Sequence, residues 1–126
     1  MRYLIDTNLL LWFIEDNPKL PNQVFDILSD GKSEIFISIL SLWEISIKYS
    51  LGKLKLPRSL DEIFSEISDE DYFHIIPVKQ SHLLKQATLP FYHRDPFDRL
   101  IFAQAKIEKL KFLYTDDIFD KYEENE

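Results

Sequence analysis

The chain has 126 residues, a formal net charge of −7 and no cysteine, which excludes disulfides and thiolate metal sites and fits a reducing compartment. Hydrophobic residues at 45% and aromatics at 14% describe one globular domain able to bury a core without staples. The acidic balance argues against plain electrostatic binding of nucleic acid. No apolar run reaches membrane-spanning length, and MRYLIDTN carries an acid where a secretory leader would stay apolar, so a cytoplasmic protein is expected.

Residues 2–6 read as a short buried strand ending on Asp6, after which Thr7 or Asn8 can cap a helix that Asn17-Pro18 breaks. Residues 21–29 form a second helix, with Gly31 beyond its end, and residues 34–38 (EIFIS) a second strand. A long helix over 39–51 follows, stopped by Gly52. Ser59 and Glu62 have capping-box spacing ahead of Ile63, Phe64 and Ile67. A third strand over 73–78 contains Pro77, and a short helix over 81–87 precedes a loop. In HRDPFDRLIFAQA, Asp95 is placed as an N-cap, Pro96 in the first turn and Asp98 as the third residue of a helix reaching about Leu110. Residues 111–114 make a fourth strand leading to Thr115-Asp116, then a helical turn over 118–122 and a charged tail. Strands alternating with helices predict an α/β layer fold with a mostly parallel sheet.

Charge is unevenly spread. Lys48, Lys53, Lys55 and Arg58 follow one another with no intervening acid, whereas Asp61, Glu62, Glu66, Asp69, Glu70 and Asp71 crowd the next segment. Four acids stand in places that need a reason. Asp6 and Asp116 end strands, where open α/β sheets bind ligands, although a strand-end aspartate can also simply cap a helix. Asp98 shares a helical stripe with Ile101, Phe102 and Ala105, and Glu44 lies on the apolar stripe of Leu40, Ile47 and Leu51. The ordinary partner of Glu44 is Lys48 one turn on, worth only about 0.3–0.5 kcal/mol.

Should the four converge, two unit charges about 4 Å apart repel by about 4 kcal/mol at an effective dielectric near 20. Removing one acid then relieves strain in the metal-free protein, and a hard cation relieves all of it. Oxygen donors without cysteine or paired histidines point to Mg²⁺ or Mn²⁺, a phosphodiester-cleaving arrangement. His74, His82 and His93 have no ligand spacing; two read as structural or surface residues, and His93, beside Arg94 in the loop before the helix that Asp95 caps, is a lesser candidate for contact with substrate. Glycine-rich phosphate cradles and a serine-nucleophile elbow are absent.

Over nearly its whole length the chain resembles the PIN-domain ribonucleases, and within them the VapC-like toxins of toxin–antitoxin pairs. The resemblance is carried by LIDTNLLLWF at 4–13, SLWEISIKYSLGKLKL at 41–56, HRDPFDRLIFAQA at 93–105 and FLYTDDIFDKY at 112–122, in that order. It implies a three-layer α/β/α domain with a mostly parallel sheet of four to five strands. It also implies a metal site of Asp6, Glu44, Asp98 and Asp116, with Asp95, Asn8 and Asp117 as further candidates. Asp116 is preferred to Asp117 by an ungapped match from Asp98. RNA cleavage with Mg²⁺ or Mn²⁺, homodimerisation and silencing by an antitoxin seated on a helical groove are implied likewise. The chain departs from its relatives after FDKY, where they carry a further edge strand and this sequence reads EENE.

The expected function is that of a divalent-metal-dependent endoribonuclease, the toxin of a pair, with Arg94, Arg99 and Lys48 gripping phosphates. Its rival is a catalytically silent scaffold of the same fold whose acids recruit a basic partner. A haloacid-dehalogenase-type phosphatase is disfavoured because Asn8 stands where it needs a second aspartate. The first two helices and the helix from Ser59 hold more apolar residues than so small a domain can bury. Leu10, Trp12, Phe13, Ile14, Val24, Phe25 and Leu28, with Ile63, Phe64 and Ile67, are expected to leave part of this surface for the antitoxin.

Overall fold

The structure is a computed structural model that describes residues 1–69 and 71–125; Glu70 of the acidic run and Glu126 of the tail lie outside the described residues. Four parallel strands, β1 (Arg2–Ile5), β2 (Glu34–Ser38), β3 (Phe73–Ile76) and β4 (Lys111–Leu113), form one sheet in the order β3-β2-β1-β4. Ile5 pairs with both Ile37 and Leu113, so the carboxyl ends of three strands come level.

The period-2 alternation of the strands splits the core into two. Tyr3, Ile5, Ile35 and Ile37 pack on α1 (Thr7–Ile14), α2 (Asn22–Ser29) and α4 (Leu60–Ile67). Leu4, Phe36 and Phe112 pack on the opposite face with α6 (Pro96–Ile107) and α7 (Phe119–Asn125), and Leu89 at the end of α5 (Gln80–Thr88) joins them. Between them α3 (Ile39–Ser50) serves both layers, sending Leu42 and Ile45 to the first cluster and Leu40 to the second. The expected α/β/α layering is therefore present, and a sheet covered on both faces explains why its strands read as near-continuous apolar runs.

Several boundaries differ from the sequence reading. Asp6, not Thr7 or Asn8, caps α1, its carboxylate accepting the Leu9 N–H at 2.8 Å. Helix α2 begins at Asn22, with Pro21 at its N-cap. Helix α6 ends at Ile107, because Lys109 turns to φ 58° and the Leu110 N–H closes on the Ala105 carbonyl at 2.9 Å. Proline stops β3 at Ile76, and β4 ends one residue early, at Leu113. Among the described residues no fifth strand follows; α7 occupies the segment expected to be a single turn. No described helix is long and apolar enough to cross a membrane.

Candidate active site

The chain leaves β1 for β2 on one side and places β4 on the other, so the gap between the ends of β1 and β4 is the topological switch point. Crevices at that position are where open parallel sheets bind ligands. Asp6 follows β1 directly, and Thr115 and Asp116 follow β4. The N-terminus of α6 delivers Asp95 and Asp98 to the same place, and the second turn of α3 delivers Glu44.

Asp6 is 5% exposed and held from three directions. One oxygen accepts the Leu9 N–H; the other accepts the Thr115 N–H at 2.8 Å and the Thr115 hydroxyl at 3.0 Å. Burial raises its pKa, the backbone bonds from Leu9 and Thr115 oppose the rise, and nearby Glu44 adds to it. Because both oxygens are bonded, Asp6 also has a structural task, so the expected relief of strain on removing an acid does not extend to it.

Asp95 caps α6 as expected, accepting from Phe97 N at 2.8 Å and Asp98 N at 3.3 Å. Asp98 then sits in the first turn over Ile101, Phe102 and Ala105, all fully buried or nearly so. Its pKa is pushed up to about 7, by burial first and then by the charges of Asp95, Glu44, Asp6 and Asp116. The charges of all four bear on Asp98, so acids far apart in the sequence lie around one place in the fold. Asp116, 54% exposed at its side chain, is the most open member and also bonds the Ile118 N–H at 3.0 Å.

Glu44 makes its expected pair with Lys48, at 3.2 Å, through one oxygen only. The other, Oε1, is buried without a hydrogen-bond partner among the described residues. An orphaned carboxylate oxygen is costly to bury unless something else satisfies it.

Two polar residues complete the site beyond the assigned acids. His93 Nε2 lies 3.2 Å from Asp98 Oδ2 and 3.1 Å from Asp116 Oδ2, tying the start of α6 to the loop after β4. Thr115 clamps Asp6 and receives the Asn8 amide at 3.3 Å, which is how Asn8 reaches the site. In the sequence, the signals were the placement of His93 two residues before Asp95 and of Thr115 beside Asp116. Asp117 is exposed and is not among the charges that raise Asp98, which favours Asp116 as the fourth acid.

The phosphate-gripping set needs one correction. Arg99 is 3% exposed, and its guanidinium donates to Gln86, Leu89 and Pro90 carbonyls at 2.8–3.3 Å and to the Tyr122 hydroxyl at 3.1 Å. It pins the 89–93 loop to α6 and has nothing left for a phosphate. Arg94, by contrast, is exposed and lines a shallow hollow of about 330 Å³ with Tyr92, His93, Asp116 and Ile118. Lys48 is half-exposed beside Glu44.

Among the described residues, no three acid or histidine side chains are already gathered as a metal-binding group. The residues still suit a hard divalent cation. The donors are carboxylate oxygens, burial and then the neighbouring acids raise the proton affinity of Asp98, and Glu44 Oε1 lacks a partner among the described residues.

The model of the PIN domain family matches residues 3–125, almost the whole chain. The chain belongs to the PIN domain family. Solved structures agree on the fold. One is VapBC2 from Rickettsia felis bound to a DNA fragment from its promoter, similar at TM-score 0.68 and 20% identity over 96% of this chain and 92% of that one. A toxin–antitoxin complex from Klebsiella pneumoniae is similar at TM-score 0.63 and 16% identity, over 91% of this PIN domain and 87% of its counterpart. No curated protein matches the sequence.

Proposed function

We propose that this PIN domain is a divalent-metal-dependent endoribonuclease, the toxin half of a toxin–antitoxin pair. The observation that carries the reading is the gathering of Asp95, Glu44, Asp6 and Asp116 around Asp98, where their charges add to burial in raising its pKa to about 7. Like charges so arranged are unfavourable in the metal-free protein and become useful once a cation is present. Membership of the PIN family supports nuclease chemistry, and likeness to the two toxin–antitoxin complexes supports the toxin assignment.

Asp6, Glu44, Asp98 and Asp116 would hold Mg²⁺ or Mn²⁺. When bound, such an ion lowers the pKa of a coordinated water and neutralises charge on a phosphate. The chain's own residues do the rest. Leu9 and Thr115 fix the rotamer of Asp6, and His93 fixes Asp98 and Asp116. Arg94 and Lys48, at the rim, bring the RNA backbone against an otherwise repelling surface. The test is cleavage of a structured RNA with and without chelator, in wild type and Asp98→Asn.

The antitoxin's place is the helical face that keeps apolar groups open. Leu10, Leu28, Ile63 and Ile67 turn out to be buried, which narrows the expected surface, but Phe25 remains 48% exposed and Trp12, Phe13, Ile14, Val24 and Phe64 are partly so. A cleft of about 420 Å³ runs between Phe13, Ile14, Arg58 and Tyr72, and one of about 300 Å³ continues from Phe13 to Phe25. An amphipathic helix fits such a groove. Homodimerisation has separate apolar candidates in Trp43, Leu84 and Phe91, 58%, 71% and 79% exposed.

A further inference from the structure

Among the described residues, His93 is the histidine that meets the site's acids, and its ring is held at one face and at both nitrogens. The ring stacks on Phe119 at 5.0 Å and 28°. Its backbone N–H donates to the Tyr122 hydroxyl at 3.0 Å, and its carbonyl accepts from Arg99 at 3.4 Å. Most telling is Nδ1, which accepts the backbone N–H of Asp95 at 3.0 Å. A backbone amide can only donate, so Nδ1 must present its lone pair and the neutral ring must carry its proton on Nε2.

That proton points at two carboxylates, Asp98 Oδ2 and Asp116 Oδ2, at 3.2 and 3.1 Å. Coordination through Nε2 would require a lone pair there and a proton on Nδ1, which would then face the Asp95 N–H donor to donor. Leaving a partly buried donor unsatisfied costs about 1–3 kcal/mol. The same lock recurs at His82, at the opposite end of α6: Lys79 N–H donates to Nδ1 at 3.0 Å and Nε2 meets Glu108 at 2.7 Å.

We infer that His93 is a positioning residue fixed as an Nε2–H donor, which holds Asp98 and Asp116 at the site and never coordinates the ion itself. This rests on the reading of the four acids as a metal site. It assigns to the loop before α6 the task of spacing two carboxylates that belong to different elements. Partners that orient ligand side chains typically alter metal affinity 10–100-fold when removed.

The test is ¹⁵N NMR of the histidine rings in the wild-type chain, without and with Mg²⁺, together with Mn²⁺ affinity by electron paramagnetic resonance for wild type, His93→Gln and His93→Leu. His93 should show a protonated, pyrrole-type Nε2 and an unprotonated Nδ1 in both conditions. His93→Gln, which keeps an N–H donor, should bind Mn²⁺ within about threefold of wild type, and His93→Leu about tenfold or more weakly. Loss of the Nε2 proton on adding Mg²⁺, or unchanged Mn²⁺ binding by His93→Leu, overturns the inference while leaving the metal site standing. Should His93→Leu not fold, the wild-type spectrum and His93→Gln decide the matter. A wild-type protein that binds no Mn²⁺ overturns the metal-site reading and the inference with it.

Discussion

Glu44 and Lys48 meet at 3.2 Å across one turn of α3, yet the pair satisfies only one carboxylate oxygen and leaves Glu44 Oε1 buried and unbonded. A helix-surface ion pair contributes a few tenths of a kcal/mol, less than the cost of that orphan. Glu44→Gln gives up that weak pair but also removes a charge that bears on Asp6 and Asp98. It should stabilise the metal-free protein, by roughly 3–5 °C in Tm for about 1 kcal/mol. The gain should shrink at saturating Mg²⁺, which stabilises the wild type by mass action. An earlier melt of metal-free Glu44→Gln would show that the Lys48 pair outweighs the repulsion.

Asp98 gives a pH signature. Its folded pKa of about 7 lies above the ordinary 3.8, so the native state holds the proton more tightly than the unfolded chain does. Stability from this group is complete below about pH 4 and lost as pH rises through 7, levelling off above. Asp98→Asn should flatten that fall, which amounts to roughly 1–3 kcal/mol after allowing for partial exposure. Thermal melts of both proteins across this range in chelator measure it; parallel curves would contradict the assignment.

Asp6 should behave in the opposite way. Replacing it with Asn puts an amide donor against the Thr115 N–H, which now donates to Asp6 Oδ2 at 2.8 Å. Metal-free Asp6→Asn should lose about 1–3 kcal/mol in denaturant unfolding, despite removing a charge from the cluster. A stabilised Asp6→Asn would mean that repulsion exceeds capping here too.

The sequence conveyed some of this arrangement and not the rest. Strand-end placement located Asp6, and helical spacing located Glu44 and Asp98, because both follow from short-range periodicity. The layer architecture was legible for the same reason, since alternating apolar runs and caps are local. What could not be read were contacts across the chain: Thr115 on Asp6, 109 residues away, and the bridge from His93 to Asp116. Arg99 misled for a related reason. A basic residue one position after a site acid reads as a phosphate ligand, but its helical phase turns it inward onto the Gln86, Leu89 and Pro90 carbonyls.

Arg99→Met should therefore destabilise the fold by about 2–4 kcal/mol, by leaving buried carbonyls without donors. Arg94→Ala should leave stability unchanged and weaken RNA binding, with a shallower dependence on salt. Chemical denaturation and binding titrations on the two variants separate these roles. A stable Arg99→Met with weakened RNA affinity would reverse them.

Phe25→Asp tests the partner groove. Phe25 is half-exposed beside Phe13, with ring centroids 6.3 Å apart, so a charge there disturbs the groove more than the core. Binding of a co-expressed antitoxin should be lost, while RNA cleavage by the free enzyme stays at the wild-type level. Wild-type antitoxin affinity in this variant would place the interface elsewhere.

Whether the converging acids make a metal-dependent ribonuclease is decided by cleavage of a structured RNA by purified protein. Wild type should cut with Mg²⁺ or Mn²⁺ and stop in excess EDTA. Asp98→Asn should not cut under either condition, while its circular dichroism spectrum matches that of wild type. Undiminished cleavage in excess EDTA, or wild-type rates from Asp98→Asn, would mean that these acids do not hold a catalytic metal.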